Sequence, residues 1–348
     1  MARPRPVGLG VLGCGAIAHG AHLRILARVG GGRLVAAADP DAAARDRARR
    51  LTGVSVHDRA EALLARDDVD AVVVCAPTPL HADLAVAACE AGKHLYLEKP
   101  IATDLEDARR VLQAAESTGV KAVMGFNRRR HPAFERAREL VLEGRLGRVL
   151  AVHAAFCERS PPDDLPPWKR DRSTGGGVLL DLASHHVDLA RWILDDEVDA
   201  VQARIESAAS DQDSAWVRLS MRRGTEVQGF FSFRGGLADS LELIGERGTL
   251  RVDRHGLGLL LRTPRRFGYG VRHERTAPHR DELTSRLLRV PGTAGDPSYR
   301  RSLAAFVRML GGGPHGLASL GDGLRSLEVV LAAESSASSA GSAVPVGR

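Results

Sequence analysis

Two short stretches carry groups that could move a proton. In Leu95-Tyr96-Leu97-Glu98-Lys99-Pro100 an apolar run ends in a carboxylate, a lysine and a helix-starting proline. A base must take the hydroxyl proton as hydride leaves an alcohol carbon, and the reverse reaction needs the corresponding acid. A desolvated lysine has its pKa lowered toward that task. The second stretch is Gly175-Gly176-Gly177 followed by Val178-Leu179-Leu180-Asp181-Leu182-Ala183-Ser184-His185-His186-Val187-Asp188. On a regular helix Asp181, His185, Asp188 and Trp192 share one stripe. An aspartate one turn before a histidine can fix the imidazole's orientation and tautomer. Leu182, His186, Leu189 and Ile193 make the neighbouring apolar face, which assigns His186 to the core. The triglycine lets backbone approach a ligand or a partner closely. Taken singly, each stretch has a plainer reading, as a surface lysine before a proline or as an ordinary Asp–His helix pair.

A third motif sets the context. Gly13-Cys14-Gly15-Ala16-Ile17-Ala18 follows an apolar run and opens a helical stretch, as a dinucleotide-binding loop must. Gly13 permits the tight turn, and Gly15 lets backbone approach a pyrophosphate. The amides of Ala16 and Ile17 open the helix, and the small Ala18 replaces the third glycine. Asp39 ends the second apolar run, where a carboxylate accepts bonds from adenosine ribose hydroxyls. It would repel a 2′-phosphate, and Pro40 offers no offsetting cation, so NAD is expected over NADP; Arg45 and Arg47 are the cations near enough to compete. A solvated aspartate capping the next helix is the plainer reading. A lysine beside the cationic nicotinamide of such a cofactor has the environment that proton transfer needs.

The elements that must position these groups alternate regularly in the first half. Strands are expected at 6–12, 34–38, 54–57, 69–75, 94–97 and 121–126, with helices between them. That rhythm means a doubly wound parallel sheet with right-handed crossovers, a Rossmann domain over residues 1–126. Beyond it the rhythm changes. A helix at 132–143, a strand at 148–156 and an apolar helix at 178–194 precede runs at 198–208, 214–222, 225–233, 239–244, 248–253 and 257–262. These read as a largely antiparallel, open-faced sheet in an α+β substrate-binding and oligomerisation domain, residues 127–348. Two helices follow, near 298–310 and 323–337. The polar stretch 263–297 reads as irregular, and the Ser/Ala-rich 335–343 as a fraying tail.

Composition narrows the function classes. The 348 residues are 44% apolar and 26% charged, with a net charge of +6. This is the composition of a globular protein with room for two domains. Only 4% are aromatic, and the densest basic run, Arg128-Arg129-Arg130, has no stacking residues interleaved, which argues against nucleic acid. The four cysteines show neither metal-ligand spacing nor a CxxC pair, so no metal site is expected and a reducing cytoplasm is the default. Arg3, Arg5 and the run up to Cys14 imitate a lipoprotein leader, but cleavage there would remove the first strand. No apolar run approaches membrane-spanning length.

Together these segments resemble the glucose–fructose oxidoreductase/inositol dehydrogenase (Gfo/Idh/MocA) family nearly end to end. The resemblance rests on VGLGVLGCGAIAHGAHL, APTPLHADLAVAACEAGKHLYLEKP, GFNRRRHPAFERARELVLEGRLGRV, GGGVLLDLASHHVDLARWI and GDGLRSLEVVLAAESS. It implies that Lys99, Asp181 and His185 surround the reacting carbon. It also implies that Pro77, His81, Glu98 and Asn127 line the cofactor cleft, that Lys99-Pro100 is a cis bond, and that the open sheet pairs two or four copies. Ala183 departs from the glycine many members carry. The expected activity is reversible, NAD-dependent hydride transfer at a secondary alcohol of a polyol, sugar or nucleotide sugar. Trp168, Lys169, Arg170 and Arg172 are candidate substrate contacts. A non-catalytic NAD-dependent sensor and an NAD-assisted glycosidase are the alternatives.

Overall fold

The computed structural model describes residues 5–254, 259–264, 271–276 and 296–347. The chain forms two compact units, residues 1–130 with 284–324 and residues 131–283 with 325–348.

In the first unit six strands, β1 Val7–Leu12, β2 Gly32–Ala38, β3 Ser55–His57, β4 Ala71–Val74, β5 His94–Leu97 and β6 Ala122–Met124, pair in the order β3-β2-β1-β4-β5-β6. Every pairing is parallel. The central strands are apolar on both faces: Leu9, Val11 and all of β4 are fully buried, as a sheet covered on two sides requires. Gly8 is forced, because a Cβ there would stand 1.8 Å from the Asp68 carbonyl oxygen. The order reverses between β1 and β4, and the crevice at such a switch point, at the strand C-terminal ends, is where sheets of this kind bind ligands. Helices start and stop at their caps. Asp41 caps Ala42–Thr52, which ends at left-handed Gly53, and Asp104 caps Leu105–Thr118, which ends at Gly119. The helix Pro297–Leu310, remote in sequence, places Leu303 and Phe306 in the same core as Leu9, Val11 and Leu26. The unit is thus completed by residues that chain order alone assigns to the second half.

The second unit is a nine-stranded sheet. Its strands are β7 Val149–Cys157, β8 Val198–Glu206, β9 Ser214–Met221, β10 Glu226–Ser232, β11 Ala238–Gly245, β12 Gly248–Asp253, β13 Leu259–Pro264, β14 Val271–Thr276 and β15 Val344–Pro345. They lie in the order β14-β13-β12-β11-β7-β10-β9-β8-β15. All pairings are antiparallel except β7 with β10. Phe156 and Phe231 point inward from this sheet, while Trp216 and Leu150 are exposed.

Two expectations need correcting. The stretch 263–297 is not wholly irregular, since β14 extends the sheet by pairing with β13; its polar, exposed Arg272, His273 and Glu274 suit a strand at the sheet edge. Residues 265–270 and 277–295 lie outside the described residues. The Ser/Ala-rich 335–343 does not fray. The fully buried Ser336 hydroxyl accepts from the Ala203 amide and donates to the Ser342 carbonyl, and β15 then pairs with β8. Small residues allow this close docking, which composition alone could not distinguish from disorder.

Candidate active site

In the first unit the glycine loop joins β1 to a helix. Gly13 has φ +91°, and a Cβ on it would come within 2.7 Å of the Ala76 amide nitrogen. No atom lies within 4 Å of a Cβ placed on Gly15, which leaves room for a ligand at the exposed loop. Asp39 holds this loop: its Oδ2 accepts from the Cys14 amide at 2.7 Å and its Oδ1 from the Asp41 amide at 2.8 Å. The Cys14 thiol faces inward, and burial followed by the Asp39 charge pushes its pKa up to about 12, so it stays a thiol. Exposed Ala16, half-buried Ile17 and fully buried Ala18 come next. The amides of a helix's first turn have no intrahelical acceptor and suit a phosphate. The loop therefore fits a dinucleotide.

The remaining first-unit residues lie at the same end of the sheet. Glu98 and half-buried Lys99 come directly after β5, and Lys99-Pro100 is cis. His81, buried, has Nδ1 2.7 Å from the Pro100 carbonyl oxygen and Nε2 2.9 Å from that of Ala76. Burial lowers its pKa, against the pull of those carbonyls. The ring stands between the turn after β4 and the turn after β5, and in its neutral form one of its two nitrogens donates to a carbonyl. Pro77 precedes the short turn Thr78–Leu80 and leads into the His81 helix. Asn127 is buried, and its Nδ2 donates to Ser298 Oγ at 2.7 Å. Sequence reasoning missed the deepest contact: fully buried His22 places Nε2 2.7 Å from Glu98 Oε1. Its sign in the sequence was a histidine on the inward face of the loop's helix.

In the second unit Asp181 and His185 open a helix that is not regular. The Ser184 amide donates to the Leu179 carbonyl five residues back, so Leu179–Ala183 is a π-helical turn before the α-helix Ser184–Leu194. One extra residue in that turn shifts His185, Asp188 and Trp192 together about the helix axis relative to Asp181, and those three keep a common face of the α-helix. Asp181 is half-buried and His185 buried. Lys169 Nζ donates to Asp181 Oδ2 at 2.7 Å. Burial alone would depress this ammonium, but the Asp181 charge and hydrogen bond, with Glu158 behind them, hold its pKa above the usual lysine value. The triglycine permits the approach: a Cβ on Gly176 would stand 2.4 Å from the Lys169 carbonyl oxygen. His185 meets Phe156 edge-on at 6.1 Å. His186 is buried between Phe156 and Phe231, 3.5 Å from the buried Asp239 carboxylate that Arg254 also pairs.

The other candidate substrate contacts are engaged within the unit. Arg170 donates to the Leu165 and Asp163 carbonyls. Arg172 forms a two-pronged pair with Glu334 at 2.5 and 3.1 Å. Trp168 lies under the Lys169 ammonium, 5.4 Å from ring centre to nitrogen. Among the described residues no three His, Cys, Asp or Glu side chains cluster as metal ligands, and no helix is long and apolar enough to cross a membrane.

Comparison with known proteins agrees with this architecture. Residues 7–126 match the oxidoreductase family with an NAD-binding Rossmann fold, and residues 134–251 match the GFO/IDH/MocA C-terminal domain. An inositol 2-dehydrogenase of Rhizobium meliloti (strain 1021) is 34% identical over 256 residues, 71% of this chain and 76% of that protein. The chain belongs to the GFO/IDH/MocA oxidoreductase family. A 1,5-anhydro-D-fructose reductase of Ensifer adhaerens, from the curated relatives of this GFO/IDH/MocA chain, is 40% identical over 156 residues, 44% of this chain and 46% of that one. The crystal structure of an oxidoreductase domain protein from Kribbella flavida superposes with a TM-score of 0.86 at 25% identity, covering 98% of this chain and 99% of that one. As a family member the protein is an NAD(P)-dependent oxidoreductase acting on CH–OH groups, with the six-stranded Rossmann sheet and mostly antiparallel second sheet expected from its sequence.

Proposed function

We propose that the protein is an NAD-dependent dehydrogenase of an uncharged cyclitol or sugar, with Lys99 as acid/base and Asp181 and His185 orienting the hydroxyl and relaying its proton. The observation that carries the reading is the placement of Lys99. It lies just beyond β5, at the same C-terminal sheet edge as the glycine loop after β1, where ligands of open α/β sheets bind. Gly13, Gly15, Ala16, Ile17 and Asp39 would hold NAD at the loop, with Pro77, His81, Glu98 and Asn127 around it. Bound NAD supplies the hydride acceptor. Lys99 takes the proton that the hydroxyl loses, and His185, with Asp181, orients the hydroxyl and passes the proton on.

NAD is preferred over NADP in this reading because the Asp39 carboxylate would meet a 2′-phosphate. Arg45 Nη1 donates to the Asp39 and Pro40 carbonyls, which holds that nitrogen on the backbone. An uncharged substrate is favoured over a phosphorylated or nucleotide-linked one for a related reason. Lys169, Arg170 and Arg172 already have acceptors within the protein. The inositol 2-dehydrogenase relative supports the same substrate class. The open sheet face, with exposed Trp216, suits pairing of two or four copies.

The test is a panel of inositols, aldoses, anhydrosugars and nucleotide sugars, read by the appearance of NADH, with Lys99→Ala in parallel. Lys99→Ala is expected to keep NAD affinity and to lose turnover by roughly three orders of magnitude or more. Near-normal turnover would remove Lys99 from the mechanism.

A further inference from the structure

We infer that His22 is a positioning residue for Lys99, acting through Glu98; the inference rests on the reading of Lys99 as acid/base. His22 is fully buried on the helix after the glycine loop, and its Nε2 stands 2.7 Å from Glu98 Oε1. Glu98 Oε2 accepts the Lys99 amide at 3.2 Å. One carboxylate therefore joins the helix of the glycine loop to the backbone of the lysine. With Glu98 as a carboxylate, which only accepts, Nε2–H is the donor.

Three features build this contact. The Leu23 amide donates to the Ala18 carbonyl five residues back, so the helix makes a π-helical turn over Ala18–His22. The extra residue in that turn sets which side chain faces Glu98, and such turns concentrate at functional sites. Gly125 makes room: a Cβ there would lie 3.0 Å from both the Glu98 carboxyl carbon and Oε2. Tyr96 and Tyr299 then meet the His22 ring edge-on at 6.1 and 5.7 Å and leave it little freedom to turn. A buried carboxylate needs such partners to stay in place. Because the same helix starts at the loop that Asp39 holds, order in the loop and placement of Lys99 become one hydrogen-bonded system.

The experiment uses the full chain and its best substrate from the panel, comparing His22→Phe, His22→Leu and His22→Gln with the parent. Circular dichroism first checks folding, and quenching of protein fluorescence by NADH measures cofactor affinity without turnover. A side-chain amide at position 22 can replace the Nε2–H donor, whereas phenylalanine fills the space without donating. His22→Phe is expected to lower kcat about 10- to 100-fold, with the NADH Kd moved by less than about threefold and His22→Gln recovering most of the loss. Should His22→Phe fail to fold, His22→Leu takes its place and is expected to show the same fall in kcat at near-constant NADH Kd. Parent-like kcat in the folded non-donating variant, an equal loss in His22→Gln, or a loss confined to NADH affinity would each overturn the inference. Lys99→Ala separates the two readings. An active Lys99→Ala removes the lysine's role, whereas an inactive Lys99→Ala beside a fully active His22→Phe sinks the His22 inference alone.

Discussion

The Lys169 ammonium donates to Asp181 Oδ2 across 2.7 Å, joining the loop before the triglycine turn to the helix that carries His185. Asp181 is thereby kept as an oriented carboxylate on the first, π-helical turn. Lys169→Met is expected to lower kcat/KM for the substrate by about 10- to 100-fold, with Lys169→Arg less impaired and cofactor affinity unchanged in both. Equal activity of the Met variant and the parent would show that Asp181 needs no such partner.

Asp39 holds the glycine loop through the Cys14 amide, accepts from the Asp41 amide beside it, and meets the adenosine ribose in the proposed complex. Asp39→Ala removes both roles. NAD affinity should weaken by about tenfold or more, and the ratio of NADP to NAD efficiency should rise. Calorimetric titration with each cofactor checks this; an unchanged ratio would mean that Asp39 does not discriminate between them.

His81 gives a pH signature. Burial lowers its pKa below the ordinary 6.5, so the folded chain favours the neutral ring. Below that value the unfolded chain takes up a proton that the folded chain resists. Stability at this site is therefore present at neutral pH and falls as pH drops through 6.5 toward the lowered folded value. Denaturant midpoints of the parent should fall more steeply than those of His81→Gln between about pH 8 and about pH 5.

Arg172 and Glu334 form a clamp, with side chains only 20% and 18% exposed. Arg172→Ala is expected to cost about 1–2 kcal/mol of stability by urea unfolding. The KM for an uncharged substrate should stay close to the parent's. A raised KM with unchanged stability would return Arg172 to the substrate.

Trp216 is 40% exposed on the sheet, packed against Phe230 at 5.0 Å with Arg204 over its ring. A charge introduced there by Trp216→Asp should dissociate the proposed assembly. Light scattering would then show a halved or quartered mass beside the parent. A monomeric parent at micromolar concentration would remove the assembly from the proposal.

Much of the fold was legible because hydrophobic periodicity is local. The buried run of β4, the glycine that closes a tight turn at Gly13 and the caps at Asp41 and Asp104 each act within a few residues. The edge strand Val271–Thr276 was not legible, since its polar face reads like a loop until β13 supplies its hydrogen-bond partner. The docked tail failed for a similar reason: Ser336 looks like linker composition until the Ala203 amide is set beside its hydroxyl.

For the candidate site, sequence alone determined the kinds of group present: a glycine loop, a carboxylate at the end of β2, a lysine after β5 and an Asp–His pair. Those come from residue identity and short spacing. Only the tertiary structure decided what holds them. Lys169 is twelve residues before Asp181, and His22 is seventy-six before Glu98; nothing in either interval encodes the meeting. The two π-helical turns are equally silent in sequence, because one residue more per turn is stabilised by the packing around the helix and not by any residue type within it. Tertiary packing also fixed the use of charge. Arg170 and Arg172 are candidate substrate contacts by sequence, and in the fold they donate to the Leu165 and Asp163 carbonyls and to Glu334.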